Sequence, residues 1–216
     1  MEDHLFETFS LEKGNRLLDA GCGIGHVAIH TAQRGLHFQG INVVDSTIED
    51  AKRNIRKEDL ESAITVRKTD YHHLDGFEDD TFEGAYIMET FVHATDPEAA
   101  LHELFCTSSI TAFADAKLKD TMEQTDKHTS MLSNTCSEEG VLAKILEEAG
   151  FKDVVVQNLT KHVTPMFRLL FALAYVPYLF VKLLGLESRF VNTMAGVEGN
   201  QGRKFWRYVA ISARKS

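Results

Sequence analysis

The sequence RLLDAGCGIGHVA, residues 16–28, places a short apolar run that ends on an acid directly before three alternate glycines and a helix-like apolar pattern. Glycine accepts positive φ angles and, because it has no Cβ, lets a ligand approach the backbone. A helix that begins directly after such a turn presents unpaired N–H groups to that ligand. The stretch therefore predicts a strand, a tight turn and a helix N-terminus that together bind a nucleotide-type ligand.

Two ligand classes use a turn of this kind, and the position of the acid separates them. Residues 23–28 fit the G-x-G-x-x-G/A pattern of dinucleotide enzymes if alanine fills the last position. The alternative pattern is acid-x-G-x-G-x-G, formed by Asp19, Gly21, Gly23 and Gly25. A carboxylate at the strand end would attract a cationic sulfonium and repel a pyrophosphate, which favours the second interpretation. A glycine-rich turn without any ligand stays open as a third.

Segments typical of strands alternate with segments typical of helices along the rest of the chain. Strands are predicted at residues 38–44, 63–68, 82–88, 154–156 and 208–212, with a short, weak one at 110–114. This alternation predicts an α/β fold with a Rossmann-like, doubly wound and mostly parallel sheet. Such sheets bind ligands at the carboxyl ends of their strands, where the sequence places Asp19, Asn42, Asp45, Asp70, Glu89 and His93.

Helix boundaries are predicted from capping residues and glycines. The first helix is expected at residues 24–34, and Ser46-Thr47-Ile48-Glu49 has the form of a capping box for the second. Asp96 and Pro97 are the residue types preferred at an N-cap and at the first helical position. A further helix is expected at residues 143–149, with Thr135 or Ser137 as its cap and Gly150 at its end.

Composition limits the classes of function and the cellular compartment. A net charge of −9 argues against nucleic-acid binding, which needs a basic face. Cys22, Cys106 and Cys136 are an odd, widely spaced set without metal-like pairing, which indicates a reducing compartment and no disulfide framework. The N-terminal residues do not form a charged-then-apolar leader. We therefore expect one domain over residues 1–216 that stays in the cytoplasm.

Four segments carry a family resemblance: residues 17–25, 68–71 and 85–94, and the C-terminal region from Gly196 through Tyr208. With these segments the chain resembles class I S-adenosylmethionine-dependent methyltransferases, and within them the sterol 24-C-methyltransferase-like group. The resemblance implies S-adenosylmethionine as cofactor. It implies that the methionine end, the ribose and the adenine would be held by residues from the set Asp19, Gly21, Gly23, Gly25, Asn42, Val43, Asp70, Tyr71 and Met88.

The chain departs from that group at three places. Asn42 stands where most relatives carry a ribose-binding acid; Asp45 could substitute, although its spacing favours a role as helix cap. The basic-apolar-Lys-Pro-Gly-Gly turn that follows residues 101–105 in relatives is missing, which weakens the expected central strand. The aromatic- and glycine-rich N-terminal segment associated with sterol binding is also missing, which argues against sterol itself as the substrate.

The chemistry expected of the site is methyl transfer from a sulfonium, for which a protein supplies positioning, desolvation and sometimes a base. His93 is the candidate base, with a histidine that merely packs as the alternative. If the acceptor is an alkene, Glu89 would instead stabilise a carbocation together with Tyr86 and Phe91. The expected substrate is a hydrophobic small molecule of terpenoid, sterol-like or polyketide type.

Two other functions stay open at this point. The same fold could act without methyl transfer, as a cyclase or an apolar-ligand binder, an interpretation that Asn42 and the missing turn support. A nicotinamide oxidoreductase rests only on the spacing of residues 23–28.

An apolar helical insertion is expected before the last strand, at residues 161–206. Within it, Leu169 to Val181 is an apolar run of thirteen residues, interrupted only by Pro177, between Arg168 and Lys182. As a helix this run would be about 20 Å long, short of the roughly 30 Å hydrocarbon core of a membrane. A helix that is apolar all round is buried or lies in an interface. We therefore expect a hydrophobic lid that accepts an apolar substrate and can touch a membrane surface, with a helix that only packs on the sheet as the alternative.

Overall fold

The computed structural model describes residues 11–108, 110–118, 140–201 and 206–215. The first half of the chain forms β1 (Arg16–Ala20), α1 (His26–Ala32), β2 (His37–Asn42), α2 (Asp45–Lys57), β3 (Ile64–Lys68), β4 (Gly84–Met88), a 3₁₀ turn (Phe91–His93) and α3 (Pro97–Thr107). The second half forms β5 (Ile110–Leu118), α4 (Val141–Glu148), β6 (Lys152–Asn158), α5 (Thr160–Leu184), a 3₁₀ turn (Glu187–Arg189), α6 (Val191–Gln201) and β7 (Trp206–Arg214).

The strands form one seven-stranded sheet in the order β3-β2-β1-β4-β5-β7-β6. Neighbours from β3 to β5 are parallel, and β7 runs antiparallel to both β5 and β6. The prediction of a doubly wound, mostly parallel α/β sheet is therefore confirmed. The strand order reverses between β1 and β4, and the crevice at such a switch point is where open α/β sheets bind ligands.

Helices and strands bury apolar side chains on both faces of the sheet. Alternation along β1 places Leu18 and Ala20 in one core cluster and Leu17 in the other, which also contains Tyr86. Asp19 follows Leu17 on the second face and is 3% exposed. It is the one acidic or basic side chain that is buried among the residues with described burial.

The central strand β5 is longer than the sequence suggested. The prediction of a short, weak strand at residues 110–114 is wrong, because β5 covers nine residues. It pairs with β4 on one side and along its whole length with β7 on the other. Hydrogen bonds to two neighbours stabilise a strand whose local pattern is poor. Helix α3 ends at Thr107 and β5 begins at Ile110. The sheet is therefore continuous although the turn expected between them is missing.

The capping predictions had mixed outcomes. Asp96 caps α3 as expected, since its Oδ1 accepts a hydrogen bond from the Ala99 N–H at 3.0 Å with Pro97 in the first turn. The capping box at Ser46 is wrong: α2 begins at Asp45, after Val44 and without a side-chain cap. Gly140 stands at the N-cap of α4. The predicted caps Thr135 and Ser137 lie outside the described residues.

The insertion before the last strand is a helical hairpin of α5 and α6. The apolar run at residues 169–181 is part of a longer helix, because α5 has 25 residues and continues through Pro165 and Pro177. Its length is about 37 Å at about 1.5 Å per residue. The first turns of α5 pack on the sheet through Val163 and Tyr208. Its second half packs on α6 through Tyr178, Val181, Met194 and Val197.

Candidate functional site

The glycine turn after β1 has the shape that the sequence predicted. Gly21, Gly23 and Gly25 all have positive φ angles, of 92°, 51° and 80°. A Cβ on Gly21 would collide with the side chain of Thr90, so this glycine lets the loop after β4 come close. A Cβ on Gly23 would meet nothing within 4 Å. The turn thus keeps an open space at the head of β1, against which a ligand can lie.

Backbone hydrogen bonds fix this turn between β2 and β4. The N–H groups of Gly21 and Cys22 both donate to the Ile41 carbonyl, at 3.0 Å each. On the other side, the Thr90 hydroxyl donates to the Ala20 carbonyl at 3.1 Å. The turn is therefore positioned before any ligand arrives, which lowers the cost of binding.

Asp19 places a buried carboxylate at the end of β1, and hydrogen bonds only partly offset the cost of burying its charge. Its Oδ2 is buried and has no hydrogen-bond partner among the described residues. Burial raises the pKa of Asp19 to about 7, against the lowering effect of a hydrogen bond from Tyr86. A buried carboxylate oxygen without a partner is costly unless a cation or donor meets it. This orphan oxygen therefore fits a cationic ligand.

The thiol of Cys22, inside the glycine turn, is unreactive. Burial, and then the negative charge of Asp19, raise the pKa of Cys22 to about 12. Thiols react as thiolates, so Cys22 supplies packing in this turn rather than nucleophilic chemistry.

The loop after β2 has no free acidic side chain at the position where the family resemblance implies a ribose-binding acid. The Oδ1 of Asn42 accepts a hydrogen bond from the Val44 N–H at 3.0 Å, so this acceptor is already used. Asp45 is not an N-cap, and its Oδ2 lies 2.7 Å from the Lys68 Nζ in an exposed ion pair. Val43 is half-exposed. This side of the site offers the Asn42 amide N–H₂ group and apolar surface.

The loop after β3 connects the predicted adenine residues to the loop after β4. The Tyr71 hydroxyl donates to the Thr90 carbonyl at 3.3 Å. Asp70 Oδ1 accepts from the His72 N–H at 3.0 Å and lies 2.6 Å from its ring nitrogen. Partial burial raises the pKa of Asp70, but the two contacts with His72 outweigh it and the pKa is lowered. Asp70 is therefore ionised at neutral pH and held in a fixed orientation.

Glu89 directly follows β4 and is held by a residue from the far end of the chain. Its backbone takes a φ of +58°, which is uncommon for a residue with a Cβ. The Tyr208 hydroxyl donates to Glu89 Oε1 at 2.8 Å. Tyr208 lies on β7, is buried, and packs with Met88 and Val163. Sequence reasoning did not find this pair, because nothing local links two residues 119 positions apart.

His93, the predicted base, joins this cluster through its backbone and not through its side chain. It ends the 3₁₀ turn after β4 with an exposed side chain, and its backbone N–H donates to the Thr90 carbonyl at 3.0 Å. Within the part of the chain that the structure describes, its ring makes no hydrogen bond or ion pair. The structure thus gathers Asp19, the glycine turn and the Glu89 loop, and leaves this histidine at the surface.

Comparison with known proteins identifies the family. Residues 18–106 match the family described as "Methyltransferase domain". The S-adenosyl-L-methionine-dependent Diels-Alderase iccD of Talaromyces variabilis is 33% identical over 232 residues, covering 100% of this chain and 80% of that protein. The chain belongs to the family of S-adenosylmethionine-dependent proteins with the class I methyltransferase fold. The crystal structure of the [4+2]-cyclase SpnF shares the fold, with a TM-score of 0.79 at 20% identity over 99% of this chain and 79% of that chain.

The narrower resemblance to sterol methyltransferases covers less of the chain. Sterol 24-C-methyltransferase erg6 of Aspergillus fumigatus is 31% identical over 105 residues, which is 48% of this chain and 28% of that protein. The methyltransferase fold is therefore shown, and the sterol-like subgroup stays a prediction.

The cofactor of the family, S-adenosylmethionine, fits the residues of this site. Its cationic methionine end would satisfy the orphan oxygen of Asp19, and the open space beside Gly23 leaves room for it. Asn42, Val43, Asp70, Tyr71 and Met88 border the same edge of the sheet, where the resemblance implies the ribose and adenine would lie. The contact of each with the cofactor stays a prediction.

We predict that Gly23→Ala weakens S-adenosylmethionine binding by at least about tenfold while the protein stays folded. The new methyl group would occupy the space beside the turn, and the positive φ would cost about 1 kcal/mol. Gly14→Ala is the matched control, because Gly14 also has a positive φ and nothing within 4 Å of its Cβ position. Calorimetric titration and thermal unfolding of both variants separate binding from stability. Equal affinities for the two variants would contradict the placement of the cofactor at this turn.

We predict that the affinity for S-adenosylmethionine rises with pH, by about tenfold between about pH 5.5 and pH 7. Below a pKa of about 7 Asp19 is mostly protonated, and a cation binds its ionised form. Asp19→Asn should weaken binding and remove this pH dependence. Titrations of both proteins across that range test it, and a wild-type affinity that is constant with pH would show that Asp19 does not meet the cation.

Proposed function

We propose that the protein is an S-adenosylmethionine-binding cyclase that folds an apolar polyene for an intramolecular [4+2] cycloaddition. The observation that carries this proposal is the extent of the match to the Diels-Alderase iccD. That match covers the whole chain, including the helical hairpin of α5 and α6, whereas the match to sterol methyltransferase covers 48% of it. The hairpin packs beside Met88 at the end of β4, and in a fold with many functions the residues around the site decide the function.

The wall of the site beside the hairpin suits an apolar chain. Met88, at the end of β4, packs with Val163, Phe167 and Tyr208 at the base of α5. A cycloaddition forms two carbon–carbon bonds in one step and loses no atom or proton. The protein therefore only has to hold the chain in a folded conformation and exclude water, which can supply several kcal/mol of the barrier.

The polar residues of the site also suit a reaction without proton transfer. The predicted base His93 is exposed, and the carboxylate of Glu89 accepts a hydrogen bond from Tyr208. Tyr208 thereby holds Glu89 at the rim of the site and presents its ring to the apolar cluster. The bound cofactor would supply a fixed positive charge, or a methyl group if an acceptor were presented.

Methyl transfer to a hydrophobic terpenoid, sterol-like or polyketide-type molecule is the second candidate. The complete set of Asp19, Gly21, Gly23 and Gly25 favours it, as does the match of residues 18–106 to the methyltransferase domain. Both candidates would use one cofactor and one apolar substrate. They differ in whether the bond between the cofactor's sulfur and its methyl group breaks. Family membership removes the third candidate, a nicotinamide oxidoreductase.

The mass of the product separates the two candidates. We predict that the protein with S-adenosylmethionine converts a linear polyene with a conjugated diene and an electron-poor alkene into a product of unchanged mass. A panel of such polyenes of different lengths, analysed by liquid chromatography and mass spectrometry with boiled protein as control, tests this. A product heavier by one methyl substitution, with an equal amount of S-adenosylhomocysteine, would show methyl transfer instead.

Substitution of the candidate bases tests the same distinction by rate. We predict that Glu89→Gln and His93→Ala each lower the rate by less than about tenfold, because a cycloaddition needs no base. His37→Ala is the control for His93, since His37 is an exposed histidine at the opposite, amino end of β2. A general base would contribute about 10²- to 10⁴-fold, so a loss of that size in either variant contradicts the cyclase.

A further inference from the structure

Helix α5 carries two apolar stripes, and among the described residues only one of them packs against other elements. The inner stripe includes Val163, Tyr178 and Val181, which pack on the sheet or on α6. The outer stripe is 52% to 80% exposed and consists of Met166, Leu169, Leu173, Val176, Phe180 and Leu183. Its spacing of three and four residues puts these side chains on one side of the helix. An exposed apolar surface of this extent marks a site of interaction.

The outer stripe does not line the substrate site. The sheet and α6 occupy the inner side of α5, where Val163 meets Tyr208. At about 3.6 residues per turn, the outer positions 166, 169 and 173 lie on a different side of α5 from the inner positions 163 and 167. A ligand in the site would therefore contact the inner side and leave the outer stripe exposed.

Strand pairing shows that α5 does not cross a membrane as a single span. With 25 residues and only 11% of its most apolar window buried, the helix is long and apolar enough to cross. However, β6 precedes it and β7 follows the hairpin, and the two strands pair from Val155 with Ser212 to Asn158 with Val209. Both ends of the hairpin thus lie on one side. Helix α6, with 11 residues, is about 17 Å long and too short to return across a core of roughly 30 Å.

The hairpin is basic within an acidic protein. Residues 160–201 contain four basic and two acidic residues, a net charge of +2, so the remainder of a chain with net charge −9 carries −11. Lys161, Arg168 and Lys182 are exposed and follow one another at seven and fourteen residues, which places them in a line along α5. Glu198 lies 3.9 Å from Lys182. An apolar stripe beside a line of cations is the pattern of helices that lie in an anionic membrane interface.

We propose that the outer stripe and its line of cations dock on an anionic phospholipid surface, with α5 parallel to the membrane. Charge selects this occupant over a second copy of the chain, because two such hairpins would bring their cations together. The docked surface faces away from the sheet, so the site stays complete on the other side of α5. The proposal is independent of which reaction the site performs.

Vesicle binding tests the proposal on the whole protein. Co-sedimentation with phosphatidylcholine vesicles that contain phosphatidylserine should give saturable binding, weaker at high salt and absent for phosphatidylcholine alone. Leu173→Gln with Leu183→Gln should weaken binding by at least about tenfold. Val155→Gln with Val156→Gln on β6 is the matched control, because both side chains are about half exposed at 48% and 52%. Thermal unfolding and S-adenosylmethionine titration check that every variant is folded.

Three outcomes would overturn the proposal. One is a wild-type protein that does not bind the anionic vesicles. Another is a Leu173/Leu183 variant that binds them as tightly as the wild type or the β6 control. The third is sedimentation velocity that shows a dimer which the Leu173/Leu183 substitutions dissolve while vesicles remain unbound; the partner of the outer stripe would then be a second copy.

Discussion

The arrangement of the site depends on a buried carboxylate that the fold leaves partly unsatisfied. Asp19 is 3% exposed, and one of its oxygens has no partner within the described residues. Burial without compensation disfavours the charged form, which is why its pKa rises to about 7. A cationic ligand that met this oxygen would remove the cost. The site therefore favours a sulfonium over a pyrophosphate.

The loops around Asp19 are connected through Thr90 and Tyr208. The Thr90 carbonyl accepts a hydrogen bond from the Tyr71 hydroxyl, and the Thr90 hydroxyl donates one to the carbonyl of Ala20 at the end of β1. The side chain of Thr90 fits there because Gly21 has no Cβ. Tyr208 joins the last strand to Glu89 and to the base of α5. The glycine turn, the loop after β3 and the hairpin are therefore joined by hydrogen bonds and packing, although they come from distant parts of the chain.

Sequence reasoning succeeded where the cause is local. Motif residues from Asp19 to Gly25 and the Asp96 cap depend on backbone angles and hydrogen bonds within a few positions. It failed at β5, which is long because two strands from distant parts of the chain pair with it. Two local details were also missed: α2 begins at Asp45 without a side-chain cap, and the Asn42 side chain accepts a hydrogen bond from the Val44 N–H. The cytoplasmic location and the sterol-like subgroup stay predictions.

Both proposed reactions would use the same cofactor, and the proposed contact of that cofactor with Asp19 is common to both. Calorimetric titration at pH 7 in two buffers of different ionisation enthalpy tests that interaction most directly. We predict that S-adenosylmethionine binds with release of about half a proton, that Asp19→Asn releases none and binds more weakly, and that NAD(H) gives no binding. Binding without proton release, or an Asp19→Asn variant with wild-type affinity, would contradict it.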